Sequence, residues 1–328
     1  MKVRLTQLDG KLPNLALMKL AYWHRAKGDE VTLTRRVTPE LFEPDYDVVY
    51  ASAIFKFTAA KIKRFRQQWP GAIIGGTGVG GTQTVEDIIG HEYEHIDYAD
   101  YPDYRPSLGF TQRGCRMKCK FCVVPLKEGK PRSVNTVADI WRGEGHPKHL
   151  HLLDNDFFGQ DEWKDRLNEV RAGNFKICLN QGFNVRLITE EGAEALASVD
   201  YRDDQFKRRR LYTAWDNQKD EKVFLRGIGR LIDAGIRPDH IMVYMLVGFA
   251  KGETFEQIKR RFDAMVDLGL LPYPMVYDRT RKDLLAFQRW AVTGLYRAVP
   301  WRDYQGSRRR ERLDTALAPP SLIGMAAE

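Results

Sequence analysis

With 328 residues, 43% of them hydrophobic, the chain can bury a sizeable core, which excludes wholesale disorder; no apolar run approaches the roughly 18–20 residues of a membrane span, so a membrane partner is not expected. The formal net charge of +8 admits an anionic partner, nucleic acid included, with part of the excess concentrated in Lys207-Arg208-Arg209-Arg210 and Arg308-Arg309-Arg310-Glu311-Arg312, although such runs serve equally as solvated surface. The opening residues lack the basic-then-apolar pattern of a signal peptide, so a cytoplasmic, thiol-reducing setting is expected, and there the crowding of three of the four cysteines within eight residues points to metal binding rather than disulfides.

In chain order, residues 3–8 read as a strand and 15–27 as a helix, introduced by Pro13 and stopped at Gly28. Residues 30–35 and 46–54 are strands, 59–69 a helix closed by Pro70-Gly71, and 72–75 a strand running into the glycine-rich stretch 75–81. Thr84 and Asp87 form a capping-box pattern, and 95–98 offers a last strand. This alternation over residues 1–100 predicts a small doubly wound, flavodoxin-like sheet.

Residues 100–108 hold Pro102 and Pro106 and read as a linker. The alternation then restarts, with strands expected at 109–112, 149–154, 176–181, 211–215, 241–247 and 274–277, and helices at 161–172 and 254–268, the latter opened by a Thr254/Gln257 capping box. Six βα units over 108–280 suggest an α/β partial (βα)6 barrel; a full eight-unit barrel needs more chain. Residues 281–315 are expected to form a helical, basic extension, and 316–328 a disordered tail.

The segment Arg113-Gly114-Cys115-Arg116-Met117-Lys118-Cys119-Lys120-Phe121-Cys122 contains Cys-x3-Cys-x2-Cys. Three thiolates in so short a loop can wrap one face of a four-iron cluster and leave the fourth iron without a protein ligand, as a catalytic metal requires. Placed after the first strand of the second alternation, the loop would sit where barrel active sites are built. The alternative is a zinc knuckle completed by His146, His149 or His151, although zinc sites usually pair two separated hooks and no second hook exists.

On these residues the chain resembles radical S-adenosylmethionine enzymes over roughly 109–277. The resemblance implies a 4Fe-4S cluster on Cys115, Cys119 and Cys122, S-adenosyl-L-methionine chelated to the open iron, and a reductant such as flavodoxin or ferredoxin. One electron would cleave the cofactor to methionine and a 5′-deoxyadenosyl radical that abstracts hydrogen from the substrate. Phe121, the aromatic residue before the last cysteine, also fits the family pattern. The run Asp154-Asn155-Asp156 falls where relatives receive the methionine ammonium; which of the three would do so stays open, and a helix-capping cluster is the plainer reading.

In the third strand of this region Ile177 and Leu179 are expected to face outer helices, turning Cys178 and Asn180 inward. Cys178 reads either as a buried small hydrophobe or as a thiol exchanging a hydrogen atom. By resemblance, Gln181 or Arg186 would contact the cofactor's ribose or carboxylate. Asp216, ending the fourth strand, and Gly248, ending the fifth, would line the nucleotide site, Gly248 by letting backbone approach adenine closely. Tyr273 and Tyr277 are candidates for the substrate side or for packing.

The loop holding Gly75, Gly76 and Gly78, in a small sheet ahead of such a core, resembles the cobalamin-binding domain of a large subgroup. Cobalamin, and with it methyl transfer to carbon, is what that resemblance implies; a degenerate domain used for substrate docking is the alternative. Four cysteines leave no second three-cysteine set, which argues against two-cluster chemistry such as methylthio transfer. The competing functional class is a non-enzymatic iron–sulfur or zinc protein that binds nucleic acid through its basic runs. The substrate itself is not legible.

Overall fold

A computed structural model describes residues 1–80, 83–91 and 94–304, and in it the chain divides into two units, Met1–Arg105 and one beginning at Pro106. The first unit runs β1 (Lys2–Gln7), α1 (Leu15–Ala26), β2 (Glu30–Thr34), β3 (Val48–Ser52), α2 (Ala59–Gln68), β4 (Ile73–Gly75) and α3 (Val85–Ile89). All four strands are parallel, in the order β2-β1-β3-β4. Val3 and Leu5 of β1 pack with Leu17, Leu20 and Ala21 of α1 on one face, while Leu8, Ala51, Ile62 and Phe65 form a core on the other. A sheet covered on both faces favours strands that are apolar nearly throughout, as β3 (VVYAS) and β4 (IIG) are, whereas β1 (KVRLTQ) alternates and its buried Arg4 donates to Glu43 at 2.7 Å. Asn14 caps α1 by accepting from Leu17 N, and the Thr84/Asp87 capping box opens α3.

Residues 95–98 do not add a strand. Asp97 N donates to Met18 O, and Arg25 pairs with both Asp97 and Asp100, so the segment is tied to α1 instead of the sheet edge.

The second unit contains β5 (Ser107–Gly109), β6 (Gln112–Arg113), α4 (Val124–Lys127), β7 (Arg132–Ser133), α5 (Val137–Ile140), β8 (His149–Leu152), α6 (Trp163–Ala172), β9 (Lys176–Leu179), α7 (Glu190–Ala197) and β10 (Asp200–Tyr201). It continues with β11 (Leu211–Ala214), α8 (Glu221–Asp233), β12 (Ile241–Val247), α9 (Phe255–Asp267), β13 (Leu271–Val276) and α10 (Lys282–Val292). One parallel sheet has the order β10-β9-β8-β5 and another β11-β12-β13. The chain is therefore α/β with parallel sheets. One core, running from Leu150 and Ile177 through Phe224 and Phe262 to Phe287 and Trp290, joins strands to helices.

Three local expectations are corrected. The first parallel strand ends at Gly109, and Gln112–Arg113 belongs instead to an antiparallel pairing with Arg132–Ser133, too short to leave a hydrophobic period. A strand at Asp200–Tyr201 was not expected. β13 begins at Leu271, earlier than 274, because Pro272 and Pro274 lie in a strand that, among the described residues, pairs on one side only, where a missing N–H is tolerated. The expected extension at 281–315 is helical over Lys282–Val292, and Leu284, Phe287 and Trp290 belong to the core; its end, the 308–312 run and the 316–328 tail lie outside the described residues. Among the described residues, no helix is long and apolar enough to cross a membrane.

Candidate functional site

In parallel strands all carboxyl ends point one way, so the segments following β5, β8, β9, β11, β12 and β13 are the places where side chains from distant sequence can gather. The cysteine loop follows β5 and β6. Cys115, Cys119 and Cys122 are free thiols, each partly exposed. The Met117 amide points at Cys115 Sγ at 3.4 Å, and Cys122 N donates to Cys119 O, so the loop is wound by its own amides. Burial pushes the thiols of Cys115 and Cys122 up; Asp156, Cys122 and Cys119 raise Cys115 further, and Cys119, Asp216 and Glu128 raise Cys122. A bound cation would offset that cost, since a coordinating thiol is deprotonated outright.

Two carboxylates hold this loop. Glu128 accepts from Arg113 Nη2 at 3.0 Å, from Gly114 N at 3.2 Å and from Asn155 Nδ2 at 2.7 Å. Asp156, fully buried, takes Arg116 in a forked pair, Nε at 2.7 Å and Nη2 at 2.8 Å, and also accepts from Arg116 N at 3.1 Å. Gly159 leaves room for that pair, because a Cβ there would lie 2.6 Å from Asp156 Oδ2. Asp154, also buried, accepts from Thr111 N and Oγ1 and from Gln112 N; burial pushes it up to about 7 against the pull of those donors. All three residues of the Asp-Asn-Asp run therefore have protein partners, and these partners lie in the cysteine loop or shortly before or after it.

The later strand ends come to the same edge. Phe121 packs edge-on against Phe249, with ring centroids 5.5 Å apart, and Phe249 against Tyr277 at 4.9 Å, which seats the loop on the ends of β12 and β13. Arg186, after β9, pairs with Asp220 at 2.6 Å, donates to Asn184 Oδ1 at 3.0 Å and lies within electrostatic reach of Cys119. Asp216, after β11, is pushed up by burial and accepts from Leu246 N at 2.8 Å. Asn180 is partly buried and Gln181 exposed, the two linked by a 3.3 Å side-chain hydrogen bond. Gly248 has a φ of +77°, and a Cβ there would stand 2.7 Å from Leu284 Cδ1, so its glycine is required by the fold before any ligand is considered.

Cys178 is elsewhere. Ile177 and Leu179 join the main core, whereas Cys178 faces the other way and packs with Phe206, Tyr212 and Tyr244. His149 stacks on Phe206 at 4.6 Å, and His151 Nε2 meets Asp204 O at 3.0 Å, with burial pushing this imidazole down to about 4. Two of the histidines that could complete a zinc knuckle are thus committed around Phe206. Among the described residues, no three His, Cys, Asp or Glu side chains converge as a single-ion site would require; a polynuclear cluster instead takes one thiolate per iron.

In the first unit, Gly76 and Gly78 are needed by their own domain. A Cβ at Gly76, where φ is +99°, would overlap the Ala53 carbonyl, and one at Gly78 would stand 2.6 Å from Phe55 O. Gly78 N donates to Ala53 O and Ala53 N to Gly75 O, closing β4 against the turn after β3. Nothing lies within 4 Å of a Cβ at Gly75. Packing thus accounts for Gly76 and Gly78 and leaves Gly75 open; none of the three supplies an observation for a corrin, so no methyl-transfer step is derived.

The sequence reading missed Arg116, Glu128 and Arg261. Arg261 is wholly buried on α9, donating to Trp215 O at 2.8 Å, to Leu246 O at 3.1 Å and to Glu253 at 2.5 Å, so it ties the ends of β11 and β12 together. A signal was present: Arg261 falls among Ile258, Phe262 and Met265 on the apolar side of its helix. Removing one partner of a buried, hydrogen-bonded ion pair costs about 3–5 kcal/mol, so Arg261→Met should lower the urea midpoint sharply, more than Arg260→Met on the exposed side. Comparison with protein families, curated proteins and solved structures found no match.

Proposed function

We propose that the chain is a radical S-adenosylmethionine enzyme whose 4Fe-4S cluster is held by Cys115, Cys119 and Cys122. A single observation carries the reading: three of the four cysteines share one amide-wound loop at the carboxyl ends of parallel strands, while Cys178 is walled off among Phe206, Tyr212 and Tyr244. Three protein ligands leave one position for a cofactor. A cluster held there would supply the one-electron chemistry that cleaves the sulfonium of S-adenosylmethionine to methionine and a 5′-deoxyadenosyl radical.

The chain's own residues would do the rest. Glu128 and Asp156 fix the loop, and Phe121, Phe249 and Tyr277 shield one side of it from water. Arg186 offers a guanidinium to a carboxylate, and beside it Asn184 Nδ2 is buried without a hydrogen-bond partner among the described residues, a donor available to a ligand. Asp216 offers an acceptor. On this reading the two parallel sheets are the halves of an open (βα)6 barrel. Phe183 N donates to Tyr212 O at 3.0 Å and Thr213 Oγ1 to Phe183 O at 2.8 Å, joining the segment after β9 to β11 where no ladder runs. The first unit is then read as a shortened flavodoxin-like domain, with four strands rather than five among the described residues.

The test is anaerobic reconstitution with iron and sulfide, followed by dithionite and S-adenosylmethionine. Slow release of 5′-deoxyadenosine without added substrate is the expected result. A protein that holds about four irons yet never yields 5′-deoxyadenosine would be an iron–sulfur protein of another kind.

A further inference from the structure

Between Asp47 and Glu86 the chain carries no carboxylate, yet it holds Lys56, Lys61, Lys63, Arg64 and Arg66. These cations lie on and just before α2, where Ile62 and Phe65 turn into the core and leave Lys63, Arg64 and Arg66 exposed. Lys61 Nζ is drawn to Leu8 O, at 2.6 Å. At the start of this basic strip Phe55 and Phe57 stand out from the surface, 42% and 61% exposed, their rings parallel within 9° and 5.0 Å apart.

The aromatic pair is held in place and not a loose end. Asp9 accepts from Ile54 N at 2.8 Å, from Phe55 N at 2.9 Å and from Thr58 Oγ1 at 2.6 Å, so the turn carrying both rings is pinned to the end of β1. With three donors on it, that carboxylate is engaged beneath the turn.

We propose that this face of the first unit, Phe55 and Phe57 together with Lys56, Lys63, Arg64 and Arg66, docks single-stranded nucleic acid. Exposed aromatic faces next to a row of cations match what an unpaired strand presents, bases with free π-faces along a phosphate backbone. A duplex keeps its bases stacked inside and would leave the two rings unused. An acidic peptide would satisfy the cations but not the aromatic pair. Ten residues of helix give a basic strip about 15 Å long, enough for several phosphates. The inference needs no cluster, so it stands or falls apart from the radical reading.

The experiment is fluorescence anisotropy of the full chain with labelled oligothymidylate and oligouridylate of roughly 12 nucleotides, titrated at several salt concentrations. Lys63→Gln/Arg64→Gln/Arg66→Gln should weaken binding at least tenfold and make the log–log salt slope shallower by about 2, since each phosphate contact to a single strand contributes about 0.7. Phe55→Ala/Phe57→Ala should weaken binding about tenfold with the salt slope unchanged, because stacking releases no counterions. The deoxy and ribo arms identify which strand is preferred. All substitutions are at exposed positions, and unchanged circular dichroism confirms the fold. The proposal is overturned if the full chain does not bind either oligonucleotide, if duplex of equal length binds as tightly, or if binding survives both variants and is lost on neutralising residues 308–312.

Discussion

Cys115→Ala, Cys119→Ala and Cys122→Ala should each reduce anaerobically reconstituted protein from about four irons per chain to almost none, while Cys178→Ala retains the full complement. The expectation follows from the loop. With one thiolate removed, an iron on the protein side loses its only side-chain ligand, and the nearby carboxylates are already engaged, Asp156 by Arg116 and Glu128 by Arg113 and Asn155. Cys178 cannot substitute, because it faces the opposite side of β9 from Ile177 and Leu179 and is fully buried. Iron and sulfide analysis of the four variants decides the matter. Loss of iron in Cys178→Ala would mean that the centre has four cysteine ligands and no open position, and the enzymatic reading would go with it.

The second large effect is expected at Asp156. Its forked pair with Arg116 grips the residue next to Cys115, and the carboxylate is itself fixed by Gln112 Oε1, which accepts from Asp156 N at 3.0 Å. Outer partners of metal ligands typically contribute 10–100-fold to metal affinity. Asp156→Ala should therefore speed loss of iron to a chelator by about tenfold or more, with Asp156→Asn in between. Asp154→Ala acts one step further back, on the turn at Thr111 and Gln112, and should lower thermal stability before it affects the metal. Chelator kinetics beside S-adenosylmethionine affinity separate the possibilities. If Asp156→Ala kept its iron at the normal rate and lost only cofactor affinity, its carboxylate would be a cofactor ligand and not the anchor of the loop.

How much of this was readable in advance depended on the range of the interactions. The cysteine loop was legible because its chemistry lies within eight residues. Capping at Thr84 and Thr254 was legible for the same reason, as was the turn of Cys178 to the side opposite Ile177 and Leu179, which follows from the two-residue period of a strand. The Asp-Asn-Asp run was seen, but its partners were not. Arg116 is 40 residues from Asp156, and Glu128 is 27 from Asn155, and nothing in the local pattern distinguishes a carboxylate awaiting a ligand from one holding a loop. Gly76, Gly78 and Gly248 show the same ambiguity, since a glycine needed for contact with a distant backbone or side chain looks in sequence like one left open for a cofactor. The hairpin of β6 and β7 has two residues per strand and leaves no periodic trace.

The prolines of β13 have a consequence for the company the protein keeps. Tyr277 N donates to Val247 O, so by alternation the nitrogens of Pro272 and Pro274 face away from β12, along the outer margin of the sheet. On that margin neither position has a proton to offer, and the carbonyl of Pro274 is already taken by Gln288 Nε2 at 2.7 Å. An incoming extended segment, from a second molecule or from a misfolded one, finds no template there for continuous pairing. β13 thus resists the strand-to-strand addition by which uncovered parallel sheets seed aggregates, and it does so without a charged side chain on the strand.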